Sequence, residues 1–275
     1  MVWLERNQPK INKCLLAQPN RLKVISLASS ADALFEKALY ETGRSLMVAY
    51  TRLMLDVDIQ WRAALLEGPK ILAPNHPTTT DPLYLLALLS EPASFVITAA
   101  AFDIPGVGAY LRSTGHVPAI RGSGGATVNA IANQVEAGRN VVIFPEGALS
   151  PLAGGFHRPH SGVARVALRT GAPVIPVGIG LQRDRIRVTE ARVDGDTATG
   201  LFYPSGPYAM TLGRPLYFGG DARDRERTRA VAGHIMNHIR NLVHESQDRI
   251  DRSQAAETVT LPAPAWLKSP ARSLP

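Results

Sequence analysis

The chain of 275 residues has one cysteine, Cys14, so no disulfide can form within it, and this fits a reducing compartment. No uninterrupted apolar run approaches the ~18–20 residues that a transmembrane helix needs. The N-terminus does not resemble a secretory signal, because Glu5, Arg6, Lys10 and Lys13 interrupt it before an apolar region forms. We therefore expect a cytoplasmic protein that is either soluble or bound to the surface of a membrane.

Several common enzyme signatures are also missing. There is no G-x-S-x-G segment, which disfavours an α/β-hydrolase. There is no G-x-x-x-x-G-K-[ST] loop and no G-x-G-x-x-G, so nucleotide and dinucleotide binding lack support. The histidine pair His157 and His160 has no cysteine or acidic partner at ligand spacing, so the sequence predicts no metal site.

The charge balance is basic, with a formal net charge of +7 and a pI near 9.8. Such a surface attracts polyanions, either nucleic acid or an anionic lipid leaflet. However, no block of like charges resembles a nucleic-acid tail, and no aromatic and basic residues alternate as a stacking platform would require. Nucleic acid is therefore not a predicted partner.

A long helix is predicted before residue 55. Ser29 can cap its N-terminus, with Asp32 three residues further on. Apolar side chains then recur at helical spacing, at Phe35, Leu39, Leu46, Tyr50 and Leu53. Such a stripe either packs on the core of its own protein or lies in a membrane interface, and the sequence leaves both alternatives open.

The remainder of the chain alternates between strands and helices. Residues 55–62 alternate between apolar and polar side chains, which predicts a half-exposed strand at the edge of a sheet. Further strands are predicted at 70–74, 94–99, 115–119, 140–144, 173–180, 186–193 and 208–213, and further helices at 82–90, 124–137, 161–170 and 222–246. This order predicts an α/β fold, an αβ-sandwich with a mostly parallel central sheet. Residues 251–275 contain several prolines and few core-forming side chains, which predicts a flexible tail.

A histidine and a carboxylate stand five residues apart in the segment N-H-P-T-T-T-D, directly after the apolar run 71–74. Asp81 followed by Pro82 is typical of a helix N-terminus, and the connection can fold back to bring Asp81 to His76. A carboxylate bonded to one ring nitrogen fixes the tautomer and leaves the other nitrogen as a base. The alternative is that Asp81 only caps its helix and His76 is an ordinary loop residue.

A second candidate segment is the apolar strand 115–121. It ends at Arg121 and is followed by a glycine-rich helix start. An arginine fork beside free backbone N–H groups is suited to binding a phosphate. A surface arginine followed by a turn would show the same pattern.

A third candidate segment is F-P-E-G, which follows an apolar strand at the position where open α/β sheets build their sites. Glu146 could accept hydrogen bonds from substrate hydroxyls or pair with an arginine, and Gly147 is expected to adopt a backbone angle that other residues resist. Further along, Arg158 lies among histidines before a predicted helix and could contact phosphate. Taken alone, each of these segments is also compatible with an ordinary turn.

Together and in this order, the segments resemble the glycerolipid acyltransferase family, whose type member is 1-acyl-sn-glycerol-3-phosphate acyltransferase. That family carries four ordered blocks. Here N-H-x-x-x-x-D spans 75–81, the strand ending in arginine spans 115–121, F-P-E-G-x-x-S spans 144–150, and the apolar strand with a central proline spans 174–177. The resemblance covers about residues 55 to 215, and the joint match is much more specific than any single block.

The resemblance implies an acyltransferase domain over residues 55–250, after a helical segment over 1–54 that seats it, as a peripheral protein, on the cytoplasmic face of a membrane. His76 would deprotonate an acceptor hydroxyl, and Asp81 would orient His76. The donor would be an acyl-CoA or an acyl carrier protein, and the first-choice acceptor is lysophosphatidate. No acyl-enzyme, cofactor or metal is expected. The implied substrate-binding residues are Asn75, Arg121, Phe144, Pro145, Glu146, Gly147 and Arg158.

The chain departs from the family pattern in three places, of which Pro77, which stiffens the first block, is one. Ala148 and Leu149 stand where the family often has Thr-Arg, and residues 156–159 read F-H-R-P where it often has F-K-x-G. These departures leave the acceptor open between lysophosphatidate, another lysophospholipid, glycerol phosphate and an unusual lipid. Two other functions stay open as well. One is a non-catalytic protein that binds lipid or an acyl carrier, and the other is a thioesterase-like hydrolase that uses water as the acceptor.

Overall fold

The computed structural model describes residues 19–64, 66–89, 91–120, 122–193 and 196–258. They form six α-helices, α1 (Pro19–Met54), α2 (Asp81–Leu88), α3 (Val107–Ser113), α4 (Gly124–Glu136), α5 (Gly162–Thr170) and α6 (Arg225–Thr258). The strands are β1 (Leu55–Trp61), β2 (Ile71–Pro74), β3 (Ala93–Thr98), β4 (Val117–Ala119), β5 (Asn140–Val142), β6 (Val174–Leu181), β7 (Arg187–Val193), β8 (Asp196–Phe202) and β9 (Gly206–Leu212).

Seven strands form one sheet in the order β1-β9-β6-β2-β5-β3-β4. Every neighbouring pair is parallel except β6 and β9, which are antiparallel. The predicted α/β fold with a mostly parallel sheet is confirmed. Strand β1 is an edge strand of the sheet, as its alternating pattern predicted. Strands β7 and β8, which come between β6 and β9 in the sequence, form a separate two-stranded hairpin.

Helices cover both faces of the sheet, because side chains on its central strands alternate between two hydrophobic clusters. Ile71 and Ala73 pack in one cluster with side chains of α4, α5 and α6. Leu72 packs in the other cluster with side chains of α1, α2 and the β7–β8 hairpin. The chain therefore folds as an αβ-sandwich.

Glycines let α6 approach β6 closely. A Cβ on Gly178 would lie 2.1 Å from the backbone carbonyl carbon of Leu242, so no larger residue fits there. The hydroxyl of Ser246 donates to the carbonyl oxygen of Gly178 at 2.8 Å. This contact fixes the long C-terminal helix against the centre of the sheet.

Both terminal helices are longer than predicted. Helix α1 begins at Pro19, and the predicted cap at Ser29 lies inside it, because residues 21–28 contain no proline or glycine to end a helix. Helix α6 runs to Thr258, so the first eight residues of the predicted flexible tail are helical, and the remainder of that tail lies outside the described residues. Residues 247–258 are mostly polar, which suggested a tail, but they contain no proline or glycine, which allows a helix. Composition alone therefore did not distinguish a tail from a helix there. Helix α3 and strand β8 were not predicted.

Most of the predicted apolar stripe of α1 does not face the core, although its Tyr50 packs against the core. Phe35 and Leu46 are each 64% exposed and Leu53 is 82% exposed. The face that packs on the sheet instead includes Tyr40, whose hydroxyl accepts a hydrogen bond from the backbone N–H of Ala93 at 3.0 Å. An apolar surface on α1 therefore has no partner among the described residues.

Candidate active site

The candidate site lies at the edge of the sheet where the parallel strands β2 and β5 end. His76 follows the end of β2 by two residues, and Glu146 follows the end of β5 by four. Open α/β sheets place their ligand sites at this edge. Strand β9 runs in the opposite direction to β6, so it begins at the same edge, and its Tyr208 pairs with Leu181 at the end of β6.

His76 and Asp81 are in contact. The Nδ1 atom of His76 lies 3.1 Å from Oδ2 of Asp81. Because a carboxylate accepts hydrogen bonds, this contact places the imidazole proton on Nδ1 and leaves Nε2 with a free lone pair. The His76 side chain is 17% exposed and its ring stacks on Phe144, with 3.9 Å between ring centroids. The imidazole is therefore held in one orientation at the surface of the site.

Asp81 does not cap α2. It is the first residue of the helix, the N-cap residue is Thr80, and no side chain forms a capping hydrogen bond there. The carboxylate points back toward the preceding loop, where it accepts hydrogen bonds from the backbone N–H and the hydroxyl of Thr78, each at 2.7 Å. The alternative that Asp81 serves only as a helix cap is therefore wrong.

Tyr208 supplies a further hydrogen bond to Asp81. Its hydroxyl donates to Oδ1 of Asp81 at 3.2 Å. Burial, and next the charge of Asp81, raise the pKa of the Tyr208 hydroxyl well above its usual value, so this group keeps its proton and remains a donor. The Asp81 carboxylate is fully buried, and these donors offset the cost of removing its charge from water.

Glu146 joins three loops. It is 1% exposed, and its Oε1 accepts hydrogen bonds from the hydroxyl of Ser150 at 2.5 Å and from the backbone N–H of His76 at 3.4 Å. Its Oε2 accepts from the backbone N–H of His157 at 2.8 Å. Both oxygens are thus engaged by the protein, whereas the sequence predicted contacts to a substrate or to an arginine.

Asn75 is also engaged by the protein. Its side-chain amide donates to the carbonyl oxygen of Ile179 at 2.9 Å, and its Oδ1 accepts from the N–H of Ile179 at 2.7 Å. These two bonds continue the pairing of β2 with β6 beyond the last ladder residue. Asn75 is 3% exposed, so the structure assigns it to fixing the loop before His76 rather than to direct contact with substrate.

The remaining predicted residues have different surroundings. Gly147 has φ of +64°, which confirms the predicted backbone angle, and a Cβ there would lie 2.7 Å from a ring carbon of His160. Pro145 is buried, and its carbonyl oxygen accepts from the N–H of His160 at 2.8 Å. Arg158 is exposed and forms no hydrogen bond or ion pair with the described residues. Arg121 lies outside the described residues, so its predicted role stays a prediction.

Three residues of this site had no role in the sequence-based prediction. Thr78 and Ser150 lie within the motif segments. Their hydroxyls, close in sequence to His76 and Glu146, could have indicated that they bond to the site residues. Tyr208 carried no such signal, because it is separated from Asp81 by 127 positions and sits on a predicted strand with an ordinary pattern.

The described residues contain neither a candidate membrane span nor a candidate metal-binding cluster. No helix in that part of the chain combines the length and apolar character that crossing a membrane requires. No group of three or more histidine, cysteine or acidic side chains is arranged there to hold a metal ion.

Comparison with known proteins agrees with this geometry. The Acyltransferase family model matches residues 56–180. A lyso-ornithine lipid O-acyltransferase of Pseudomonas aeruginosa is 32% identical over 130 residues, which cover 46% of this chain and 49% of that protein. The chain thus spans about half the length of this curated relative. The crystal structure of the 1-acyl-sn-glycerophosphate acyltransferase PlsC from Thermotoga maritima matches with a TM-score of 0.52 and 18% identity over 83% of each chain, which shows a shared fold.

Proposed function

We propose that this chain, which belongs to the glycerolipid acyltransferase family, transfers a fatty acyl group to the hydroxyl of a lysolipid, with His76 as the general base and Asp81 as the carboxylate that orients it. One observation carries the proposal. Nδ1 of His76 lies 3.1 Å from a fully buried Asp81 carboxylate, at the edge of the sheet where such folds bind ligands. This arrangement provides a base of fixed tautomer and orientation.

The proposed reaction needs one base and no covalent enzyme intermediate. Nε2 of His76 takes the proton of the acceptor hydroxyl while its oxygen attacks the thioester carbonyl of the donor. The tetrahedral intermediate collapses, the carbon–sulfur bond breaks, and the leaving sulfur takes the proton from the imidazolium. The products are an ester and a free thiol. Asp81 stabilises the imidazolium that forms between these steps.

The proposed donor is an acyl-CoA or an acyl carrier protein, and the reaction as written needs no metal or other cofactor. The proposed first acceptor is lysophosphatidate, which would give phosphatidic acid. Arg158 is exposed beside the loop that Glu146 holds, and Arg121 follows β4 in the sequence. Both are cations suited to a phosphate.

A lyso-ornithine lipid is the second candidate acceptor. The relative at 32% identity carries that substrate in its name. Ala148 and Leu149 also replace the hydroxyl and the cation that the family often places after Glu-Gly. Ornithine is an amino acid, so its lipid offers a carboxylate and an ammonium in place of a phosphate, and it requires fewer cations in the acceptor site.

We also propose that the protein works as a peripheral protein on the cytoplasmic face of a membrane. Lysolipids reside in membranes, and α1 presents exposed Phe35, Leu46 and Leu53. Strand β1 is parallel to β9 and begins at the catalytic edge, so the C-terminal end of α1 lies at that edge too. A membrane that contacts α1 would lie close to the site.

The test is free-thiol release from palmitoyl-CoA by purified protein in lipid vesicles, with no acceptor, with lysophosphatidate or with a lyso-ornithine lipid. We expect release only with an acceptor, and its loss in His76→Ala, with the larger rate identifying the acceptor. Release without acceptor would point to a hydrolase. If no acyl-CoA or acyl carrier donor released thiol with any lysolipid, a binding protein on this scaffold would be the better account.

A further inference from the structure

We infer that Tyr208 is a positioning residue of the catalytic pair, which holds the Asp81 carboxylate in the orientation that points Oδ2 at His76. This inference deepens the proposed function and rests on it. Tyr208 touches Asp81 and does not touch His76, so it acts on the reaction only through the carboxylate.

The two oxygens of Asp81 have different neighbours. Oδ2 accepts from the backbone N–H of Thr78 and contacts Nδ1 of His76. Oδ1 accepts from the hydroxyls of Thr78 and Tyr208. The Thr78 bonds come from the same short loop as Asp81, so they move with that loop. Tyr208 is the donor to this carboxylate that comes from another part of the described chain, and it ties the pair to the sheet.

Tyr208 itself is held rigidly. It lies on β9 between two strands, opposite Val57 of β1 and Leu181 of β6. Its ring is 1% exposed and packs edge-on against Tyr84, with ring centroids 5.3 Å apart. A ring held in this way keeps its hydroxyl oxygen in one place, and the acceptor that this hydroxyl reaches is Oδ1 of Asp81. Because this oxygen cannot follow the carboxylate, rotation of the carboxylate away from His76 would break the bond.

The chain provides a matched control. Tyr203 is also fully buried and belongs to the same cluster of tyrosines, with its ring centroid 6.3 Å from that of Tyr208. Its hydroxyl donates to the carbonyl oxygen of Pro207 at 2.7 Å and does not contact Asp81. Tyr203→Phe and Tyr208→Phe each remove one buried hydroxyl from one packed ring. They differ in whether the lost bond reaches the catalytic carboxylate.

We expect Tyr208→Phe to lower kcat roughly 10- to 100-fold, the range for losing one hydrogen bond to a charged group, with KM values for donor and acceptor unchanged. Tyr203→Phe should stay within about twofold of the parent kcat. Thermal melting of both variants checks that each remains folded. Equal losses of kcat in the two variants, or no loss in Tyr208→Phe, would overturn the positioning role.

A second measurement separates this inference from the proposed function, because it needs no turnover. Nitrogen-15 NMR of labelled histidines reports which ring nitrogen carries the proton, and His76→Asn identifies the His76 signals. We expect protonated Nδ1 in the parent and in Tyr203→Phe, and a mixture of tautomers in Tyr208→Phe. If the parent showed no acyl transfer, the function would fail while the NMR result still decided the inference. An unchanged tautomer in Tyr208→Phe would contradict it.

Discussion

At the scale of single residues, the motif side chains divide into those that form the proposed catalytic pair and those that hold the loops around it. His76 and Asp81 contact each other directly. Asn75 and Glu146 instead bond to backbone groups of other segments, and Glu146 also accepts from Ser150. A recurring motif residue near an active site is therefore not necessarily a contact for the substrate.

Glu146→Gln tests this division. Glutamine keeps one acceptor oxygen but places an amide N–H₂ where the other oxygen accepted, so at least one of the three donors loses its partner. We expect a loss of about 2 kcal/mol in the free energy of unfolding, measured by urea denaturation. The acceptor KM of the folded variant should stay unchanged. The control is Glu136→Gln at an exposed position of α4, because the ion pair between Glu136 and Arg169 contributes at most about 1 kcal/mol. Unchanged stability together with a raised acceptor KM would show that Glu146 contacts the acceptor and does not serve mainly to hold the loops.

His116 makes the stability of the fold depend on pH. Burial, with a smaller contribution from the charge of Arg139, lowers its pKa from 6.5 to about 4. Its Nδ1 accepts from the backbone N–H of Phe95 at 3.1 Å, so the folded state requires the neutral ring. In the unfolded chain, His116 binds a proton as the pH falls below 6.5. In the folded chain, it does so only when the pH approaches about 4. The stability that this neutral ring provides is thus complete above pH 6.5 and falls as the pH decreases toward 4, by up to roughly 3 kcal/mol.

The measurement is urea denaturation at pH 7.5 and at pH 5. His116→Asn retains an acceptor for the N–H of Phe95 and removes the titration. We expect a smaller loss of stability between the two pH values in this variant than in the parent. Equal losses in the two proteins would show that His116 does not govern this part of the pH profile.

The residue-scale predictions from the sequence succeeded where the chemistry was local. A five-residue spacing limits how far Asp81 can lie from His76, and Gly147 follows a buried strand in a tight turn. Tyr208 could not be predicted in this way, because its contact with Asp81 depends on β9 running antiparallel to β6. Hydrophobic patterns predict strands but not their order in the sheet.

At the scale of elements, helix α1 shows how one periodic pattern can be read in two ways. The stripe with Phe35, Leu46 and Leu53 predicted a buried or a membrane-bound face, and the structure leaves it exposed. The contact with the rest of the protein uses Tyr40 on another side of the helix, together with one member of the stripe, Tyr50, whose hydroxyl donates to the carbonyl oxygen of Pro204 at 2.6 Å. Apolar spacing alone could not tell which face meets the protein.

Replacing Leu46 and Leu53 by serine tests the membrane contact of α1. Both side chains are mostly exposed, so the double variant should fold with unchanged stability. Removing two apolar side chains from a bilayer interface should weaken binding to vesicles of an anionic phospholipid about tenfold or more, measured by co-sedimentation. The control is Tyr217→Ser, which removes a 66% exposed aromatic beside Leu216, at the opposite edge of the sheet from His76. Equal binding by the double variant and the parent would exclude α1 as the contact.

At the scale of the whole molecule, the parallel sheet explains why residues far apart in sequence meet. The segments after β2 and β5 leave the sheet at one edge, and the segment before β9 enters at the same edge. The alternation of strands and helices predicted the fold class and this edge. It did not predict the β7–β8 hairpin. The carbonyl oxygen of Leu201 in this hairpin accepts a hydrogen bond from the N–H of Thr79 at 2.7 Å, so the hairpin supports the loop between His76 and Asp81 from outside the main sheet.

The most direct test of the central claim is mass-spectrometric detection of the acylated lysolipid formed by the parent protein and by Asp81→Asn. Asparagine retains the shape of the side chain but does not hold His76 in the tautomer and charge state that the mechanism requires. We predict product with the parent protein and a rate lower by roughly 10²- to 10⁴-fold in the folded variant. An Asp81→Asn protein that melts like the parent and forms product at the parental rate would contradict catalysis by the His76–Asp81 pair.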